Sequence, residues 1–188
     1  MHEEVLHVPL LIHVPGMKAA EIDAPVSLID LAPTLLELTG AEPLRDVQGT
    51  SLVPLLRGGE LPERLLLSQD CPPAGKGKGG KPILVTHSAL ITHRWKLLRQ
   101  MVASGGVDRD GDPAFAPVDE LYDLQSDPLE LHDVAAEPAN GGALTAARAS
   151  LERMLASIEK TAEQARANRA AAPMTESLND DLHQLGYQ

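Results

Sequence analysis

From Val5 to Val14 the chain is almost continuously apolar before it reaches Pro15-Gly16. A short run of that kind, closed by turn residues, predicts a strand buried on both faces. Such a strand needs neighbours, and nothing ahead of it in this sequence supplies them. The pattern then changes to helical spacing. Leu31, Leu35 and Leu38 share one face, Asp30 offers a carboxylate as N-cap, Pro33 falls in the first turn and Gly40 suits a left-handed C-cap. These signals predict an amphipathic helix over Leu31–Thr39. Gln48 to Gly58 reads as a turn followed by a short apolar helical turn, and Arg64 to Ser68 as a strand. Cys71 to Pro82 is rich in Gly, Pro and Lys without apolar periodicity, which predicts a mobile loop. Ile83 to Gln100 reads as β-rich with a hairpin break near His93-Arg94. Ser104 to Pro117 reads as a second polar loop, Glu120 to Leu124 as a short strand, and Ser126-Asp127-Pro128 as a turn. Leu144, Ala147, Leu151, Leu155, Ile158 and Ala162 recur at helical spacing and predict a long helix over about 142–168. A last helical turn is expected at Asp180 to Leu185.

This order places the chain in the α/β class. Residues 1–60 fit the tail of an α/β sheet, and residues 61–188 fit a small antiparallel sheet with a long helix packed on it. An N-terminal strand left without partners would also promote self-association.

Composition narrows the functions. Acidic residues outnumber basic ones, 27 to 16, for a formal charge of −11. Nucleic acid and anionic membranes attract basic surfaces, so neither is an expected partner. The single cysteine, Cys71, excludes a disulfide framework and a cysteine-based zinc site. The longest apolar run, Val8-Pro9-Leu10-Leu11-Ile12, is too short to span a bilayer. Met1 is followed by His2, Glu3 and Glu4, where a secretory signal would place positive charge. The compartment stays open.

Several stretches, taken together and in order, resemble the sulfatase branch of the alkaline phosphatase superfamily. Glu3 to Gly16 is similar to that family's strand entry, with His7 where an Arg is usual. Pro25 to Gly40 resembles its PVSLVDLAPTLLELAG segment almost residue for residue. Gln48 to Leu56 resembles DGxSLxPLL, with Gln48 for Asp. Leu121 to Glu130 matches LYDLxxDPxE, and Asp133-Val134-Ala135 stands for the usual Asn-Leu-Ala. Leu182 to Tyr187 looks like a common sulfatase ending. The resemblance implies an alkaline phosphatase-like fold, with residues 1–60 as the truncated end of its catalytic domain and residues 61–188 as its C-terminal subdomain. It also implies hydrolysis of sulfate esters, of a small molecule or a glycan, in the intact enzyme. There a formylglycine made from the Cys or Ser of C/S-x-P-x-R attacks sulfur, and calcium held by Asp and Asn polarises the sulfate. Lys and His handle charge and protons. In the family those residues precede the segment that Glu3 begins, so no catalytic, cofactor-binding or metal residue is carried over onto this chain. The alternatives are a phosphohydrolase of the same superfamily and a truncated, non-catalytic module.

Five constellations inside the chain mimic chemistry. Cys71-Pro72-Pro73-Ala74-Gly75 has the first and third residues of the formylglycine motif, but Gly75 replaces its Arg. Gly75 to Lys81 fits G-x-x-x-x-G-K, yet Pro82 stands where a P-loop needs Ser or Thr and a helix start. His87 and His93 would share a face on one strand, which a hairpin between them would undo. Asp119, Asp123 and Asp127 have helical spacing in a region that reads as strand and turn. Trp95 and Lys96 resemble a family strand whose main role is to anchor the C-terminal sheet. Neither a nucleophile elbow nor a Ser/His/Asp triad is present.

Overall fold

A computed structural model describes residues 6–44, 47–77, 82–109 and 111–171. Two compact units divide the chain, Met1–Ala147 and Arg148–Gln188. The expected turn at Asp180 to Leu185 lies outside the described residues. Among those residues no helix is long and apolar enough to cross a membrane.

Residues 7–14 are irregular, so over the described part of Val5–Val14 the predicted strand is not formed. The physical reason is the lack of a neighbour, since an isolated strand leaves its N–H and C=O groups unpaired. A 3₁₀ turn, Leu28–Asp30, runs directly into helix α1, Leu31–Thr39. Gly40 ends α1 at φ 67°, a conformation that costs glycine no Cβ clash. Asp30 sits at the N-cap position but makes no side-chain cap, because its own backbone is already helical. Its carboxylate reaches elsewhere. It accepts the N–H groups of Ser27 at 2.7 Å and Thr50 at 2.9 Å, and both of its oxygens accept from the Arg64 guanidinium. Thr34, one turn on, donates to the Asp30 carbonyl at 2.5 Å and accepts the Leu52 N–H at 2.8 Å. Asp30 and Thr34 are both fully buried. Together they fasten the short helix α2, Val53–Leu56, beside α1. Gly49 makes the close approach feasible, since a Cβ there would lie 2.0 Å from the Ile29 carbonyl oxygen.

The sheet comes next. Strand β1, Leu66–Asp70, starts two residues later than its apolar pattern predicts. The Cys71–Pro82 stretch, expected as a loop, contains two strands, β2 (Pro73–Lys76) and β3 (Pro82–Leu84), which pair antiparallel in a sheet of their own. Strands β4 (His87–Ile91), β5 (Trp95–Val107) and β6 (Pro113–Asp123) complete a four-stranded antiparallel sheet in the order β1-β4-β5-β6. The break at His93-Arg94 falls between β4 and β5, as its sequence predicts. The second expected loop, Ser104–Pro117, is largely strand. Backbone pairing carries β5 and β6 as one long hairpin from Trp95↔Asp123 to Val107↔Pro113, with an irregularity near Gly105. Pairing along a hairpin does not require apolar side chains, so periodicity was blind to it.

Period-two alternation places Leu98 and Tyr122 on one sheet face, where they form a buried cluster with Ala89, and Leu6 and Leu124 pack against it. Leu90, Leu97 and Leu121 are buried as well. The edge of β6 is partly closed by the segment after it: Asp133 accepts the Leu121 N–H, and the Val134 N–H donates to the Leu121 carbonyl, both at 2.9 Å. Helix α3, Gly141–Ala171, is slightly longer than its sequence pattern. Leu144 and Leu151 are buried on it, and Ala147, Leu155, Ile158 and Ala162 are half-buried, so the predicted stripe is its less exposed face.

The Asp30 junction generates two expected outcomes. Gly49→Ala is expected to destabilise the fold by roughly 1–3 kcal/mol, read as a lower urea-unfolding midpoint, because the new methyl group meets backbone rather than a movable side chain. Burial alone would raise the Asp30 pKa, but the Arg64 hydrogen bonds and the Thr50 and Ser27 N–H groups outweigh it, and the carboxyl is held below its ordinary value. A depressed carboxyl stabilises the fold above its unfolded pKa, and that contribution disappears as pH falls through the folded value. The stability gap between the native chain and Asp30→Asn should therefore be constant from about pH 7 to 5 and shrink below about pH 4. Urea titrations at stepped pH measure it.

Candidate functional site

Cys71 leaves the end of β1 with an exposed thiol, 3.5 Å from the Thr86 hydroxyl. The adjoining Pro-Pro-Ala-Gly runs into β2 and is held by pairing to β3. The cysteine motif is thus the entry to a small sheet, without an arginine placed to orient a nucleophile. The Gly75–Lys81 motif begins in the same strand. Residues 78–81 lie outside the described residues, and the next element is β3 rather than the helix N-terminus that a P-loop uses to hold phosphate.

His87 and His93 separate as a hairpin requires. His87 begins β4, opposite Asp70 in register, and its Nδ1 lies 3.7 Å from the Asp70 carboxylate. Its Nε2 is buried without a hydrogen-bond partner among the described residues. His93 lies in the turn between β4 and β5.

The three aspartates are each committed elsewhere. Asp119 accepts from Arg99 across the β5–β6 pair, at 2.7 and 2.9 Å. Asp123 accepts from the Arg94 guanidinium, which lies over the Trp95 ring with its carbon 4.6 Å from the ring centre. The Arg94 contact, with help from the Gln125 N–H, holds the Asp123 carboxyl below the usual carboxylate range. At Asp127 some burial acts upward, but the Leu131 and His132 N–H groups and the His132 ring prevail, and its pKa is also lowered. Its carboxylate closes the turn by accepting the His132 N–H at 2.8 Å. Among the described residues no group of three or more His, Cys, Asp or Glu could hold a metal ion.

Lys96 turns inward. It is fully buried, and its ammonium donates to Glu130 at 2.5 Å, with the glutamate side chain equally enclosed. Glu130 holds φ 54°, unusual for a residue with a Cβ, so the backbone accepts a strained conformation where the side chain completes the pair. Beside it Tyr122 donates to Glu120 at 2.8 Å, and burial together with that carboxylate pushes the phenol well above its ordinary pKa. Arg64 and Glu130 are the functional-looking residues that periodicity missed. Glu130 was visible as the last letter of a DPxE pattern. Arg64 carried no local signal, because its partner lies 34 residues away.

A concavity of 520 Å³ lies between β3 and the far end of the β5–β6 hairpin, lined by Val85, Thr86, Met101, Asp108, Asp112 and Phe115 among others. Asp108 and Asp112 close the hairpin turn through their backbones, the Asp108 N–H donating to the Asp112 carbonyl at 2.8 Å and the Asp112 N–H to the Asp108 carboxylate at 3.0 Å. Asp108 and Asp112 on this groove are thus joined to each other across the turn.

The family model described as N-sulphoglucosamine sulphohydrolase, C-terminal, matches residues 1–67. Arylsulfatase K of Canis lupus familiaris is 32% identical over 136 residues, covering 72% of this chain and 23% of that protein. An ulvan-active sulfatase of Formosa agariphila is 27% identical over 180 residues, covering 84% of this chain and 30% of that protein. Among solved structures, a 2-O GAG sulfatase superposes with a TM-score of 0.50 at 22% identity, covering 72% of this chain and 26% of the other. A phosphonate monoester hydrolase from Silicibacter pomeroyi gives 0.52 at 24%, covering 76% and 27%. These two likenesses establish the alkaline phosphatase-like fold, and the chain spans about a quarter of the length of the curated relatives it matches. With the motif order, the fold and the relatives in accord, the chain belongs to the sulfatase family as a C-terminal portion of it.

Proposed function

We propose that this chain serves as the supporting C-terminal portion of a sulfate-ester hydrolase whose reaction centre is built by the rest of the sulfatase fold. The observation that carries this reading is the fate of the family motifs. Asp30 of the PVSLID segment, Gly49 of the GxSL segment and Glu130 of the DPxE segment are all spent on holding backbone or a buried partner. In the intact enzyme the substrate is a sulfated small molecule or sugar, a class supported by the names of the ulvan-active and GAG sulfatase relatives. Residues 1–60 would close the α/β catalytic domain and residues 61–188 would form the C-terminal subdomain. Support for that boundary is the start of the sheet at Leu66, close to the last residue the family model matches. The calcium and formylglycine of the family find no holder at Asp30, Asp119, Asp123 or Asp127, whose carboxylates are engaged by arginines or backbone N–H groups, nor at Cys71, whose motif has Gly75 in place of Arg.

Two outcomes test the supporting role. Purified chain supplied with calcium and 4-nitrophenyl sulfate is expected to give no turnover above a heat-treated control. Turnover that Cys71→Ala removes would sink the reading and restore Cys71 as a nucleophile. Lys96→Met or Glu130→Gln alone should each lower stability by about 3–5 kcal/mol, because each leaves a buried group without its partner, whereas the double variant should lose less than the sum. Denaturant midpoints for the four proteins decide between this and an independent, additive pair.

A further inference from the structure

Asparagine followed by glycine is the pairing in which a side-chain amide lies most open to attack by its own chain. The backbone nitrogen of the next residue can close on Cγ, and a glycine there carries no Cβ to obstruct it. The chain has three asparagines, Asn140, Asn168 and Asn179, and only Asn140 is followed by glycine. Asn140 sits at a joint, where a 3₁₀ turn, Pro138–Asn140, runs into α3 at Gly141. In that joint both reacting groups are tied. The Asn140 side-chain amide donates to the Glu137 carboxylate at 3.0 Å, and the Gly141 N–H donates to the Pro138 carbonyl. A five-membered ring closes only when the Cβ–Cα–C–N torsion of Asn140 is nearly eclipsed, and turn or helical backbone holds it well away from that. The closed joint therefore holds the reaction off, and an open one releases it. Opening is easy here. Glu137, Pro138, Ala139, Gly141 and Gly142 are all exposed. Two successive glycines begin the helix, the residues that lose most chain entropy there, and nothing lies within 4 Å of where a Cβ on either would stand. Exposed helix ends of that kind open first.

We propose that Asn140 is a self-modification site, deamidated through a cyclic imide at a rate gated by opening of the first turn of α3. The Gly141 nitrogen gives up its proton to solvent and bonds to Asn140 Cγ. The Cγ–Nδ2 bond breaks, and ammonia leaves with a proton taken from water. Water then opens the imide at one carbonyl or the other, leaving aspartate or isoaspartate at this position. The only co-reactant is water, so the step needs nothing from the rest of the polypeptide. Its product changes the joint. A carboxylate now stands where an amide had donated to Glu137, so an attraction becomes a repulsion between like charges. The isoaspartyl form also adds a methylene to the backbone just ahead of α3. The new charge lies at the N-terminal end of that helix, where the helix dipole favours it, so the product loosens the 3₁₀ turn while α3 itself is retained.

The full 188-residue chain, kept folded in mildly alkaline buffer and digested at intervals, tests this by mass spectrometry. Asn140 is expected to gain the mass of an amide turned carboxyl, resolved by chromatography into aspartyl and isoaspartyl peptides, while Asn168 stays an amide. Gly141→Ala should slow the conversion several-fold by crowding the attacking nitrogen. Gly142→Ala should also slow it several-fold, but through the turn alone, since its methyl group is remote from that nitrogen. Glu137→Ala, which releases the amide, should quicken it several-fold. Both glycine replacements enter open space, and urea midpoints for all three variants show whether the fold is kept. A synthetic peptide of residues 134–146 has no turn to open. It should convert several-fold faster than the folded chain and respond to neither Gly142→Ala nor Glu137→Ala. An Asn140 that stays intact in the folded chain, or converts no faster than Asn168, would overturn the site. A folded chain as fast as the peptide, or a folded-chain rate indifferent to Gly142→Ala or to Glu137→Ala, would overturn the gate.

Discussion

The helical stretch 28–39 and the segments gathered around it depend on one buried carboxylate. A charged group enclosed without partners is prohibitively costly, so Asp30 tolerates its position only because an arginine and two backbone N–H groups meet it there. Each of those partners belongs to a different stretch of chain: the turn before α1, the strand-like segment before α2, and the approach to β1. Fixing the carboxylate fixes all three. Thr34 repeats the arrangement one helical turn later, with a hydroxyl that bonds two backbone groups at once. Gly49 is a consequence rather than an independent feature, because segments drawn so close leave no room for a side chain between them.

The second junction works by the same physics in a different setting. Lys96 and Glu130 tie the middle of the sheet to the segment after β6, with both charges out of solvent. Glu130 holds a left-handed backbone conformation within the pair, and the leucines on either side of it, Leu129 and Leu131, are exposed. Around it Asp127 and Asp133 accept backbone N–H groups, so the acidic residues of this region hold the turn together rather than gather toward a common centre. That distribution explains why a net charge of −11 produces no metal-binding cluster among the described residues.

Both junctions fall on the segments by which the family is recognised. On this chain those segments hold backbone and a buried ion pair in place. On the stretch 28–39 Asp30 and Thr34 are fully buried, Leu31, Leu36 and Leu38 are half-buried, and Leu28 and Leu35 are exposed.

Local chemistry alone determined much of this. Pro33 in the first turn and Gly40 at the end marked α1, the break at His93-Arg94 divided β4 from β5, and the six-residue stripe of α3 marked its less exposed face, because helix caps, turns and periodicity are properties of neighbours in sequence. Only the tertiary structure decided the rest. Strands β2 and β3 and the outer half of the β5–β6 hairpin arise from backbone pairing, which leaves no apolar signature in their side chains. The segment 7–14 has every mark of a strand and remains irregular, because a strand exists only where another backbone meets it. Asp30 looked like a helix cap and became a junction because its partners are 20 and 34 residues away, a distance at which sequence carries no record of contact.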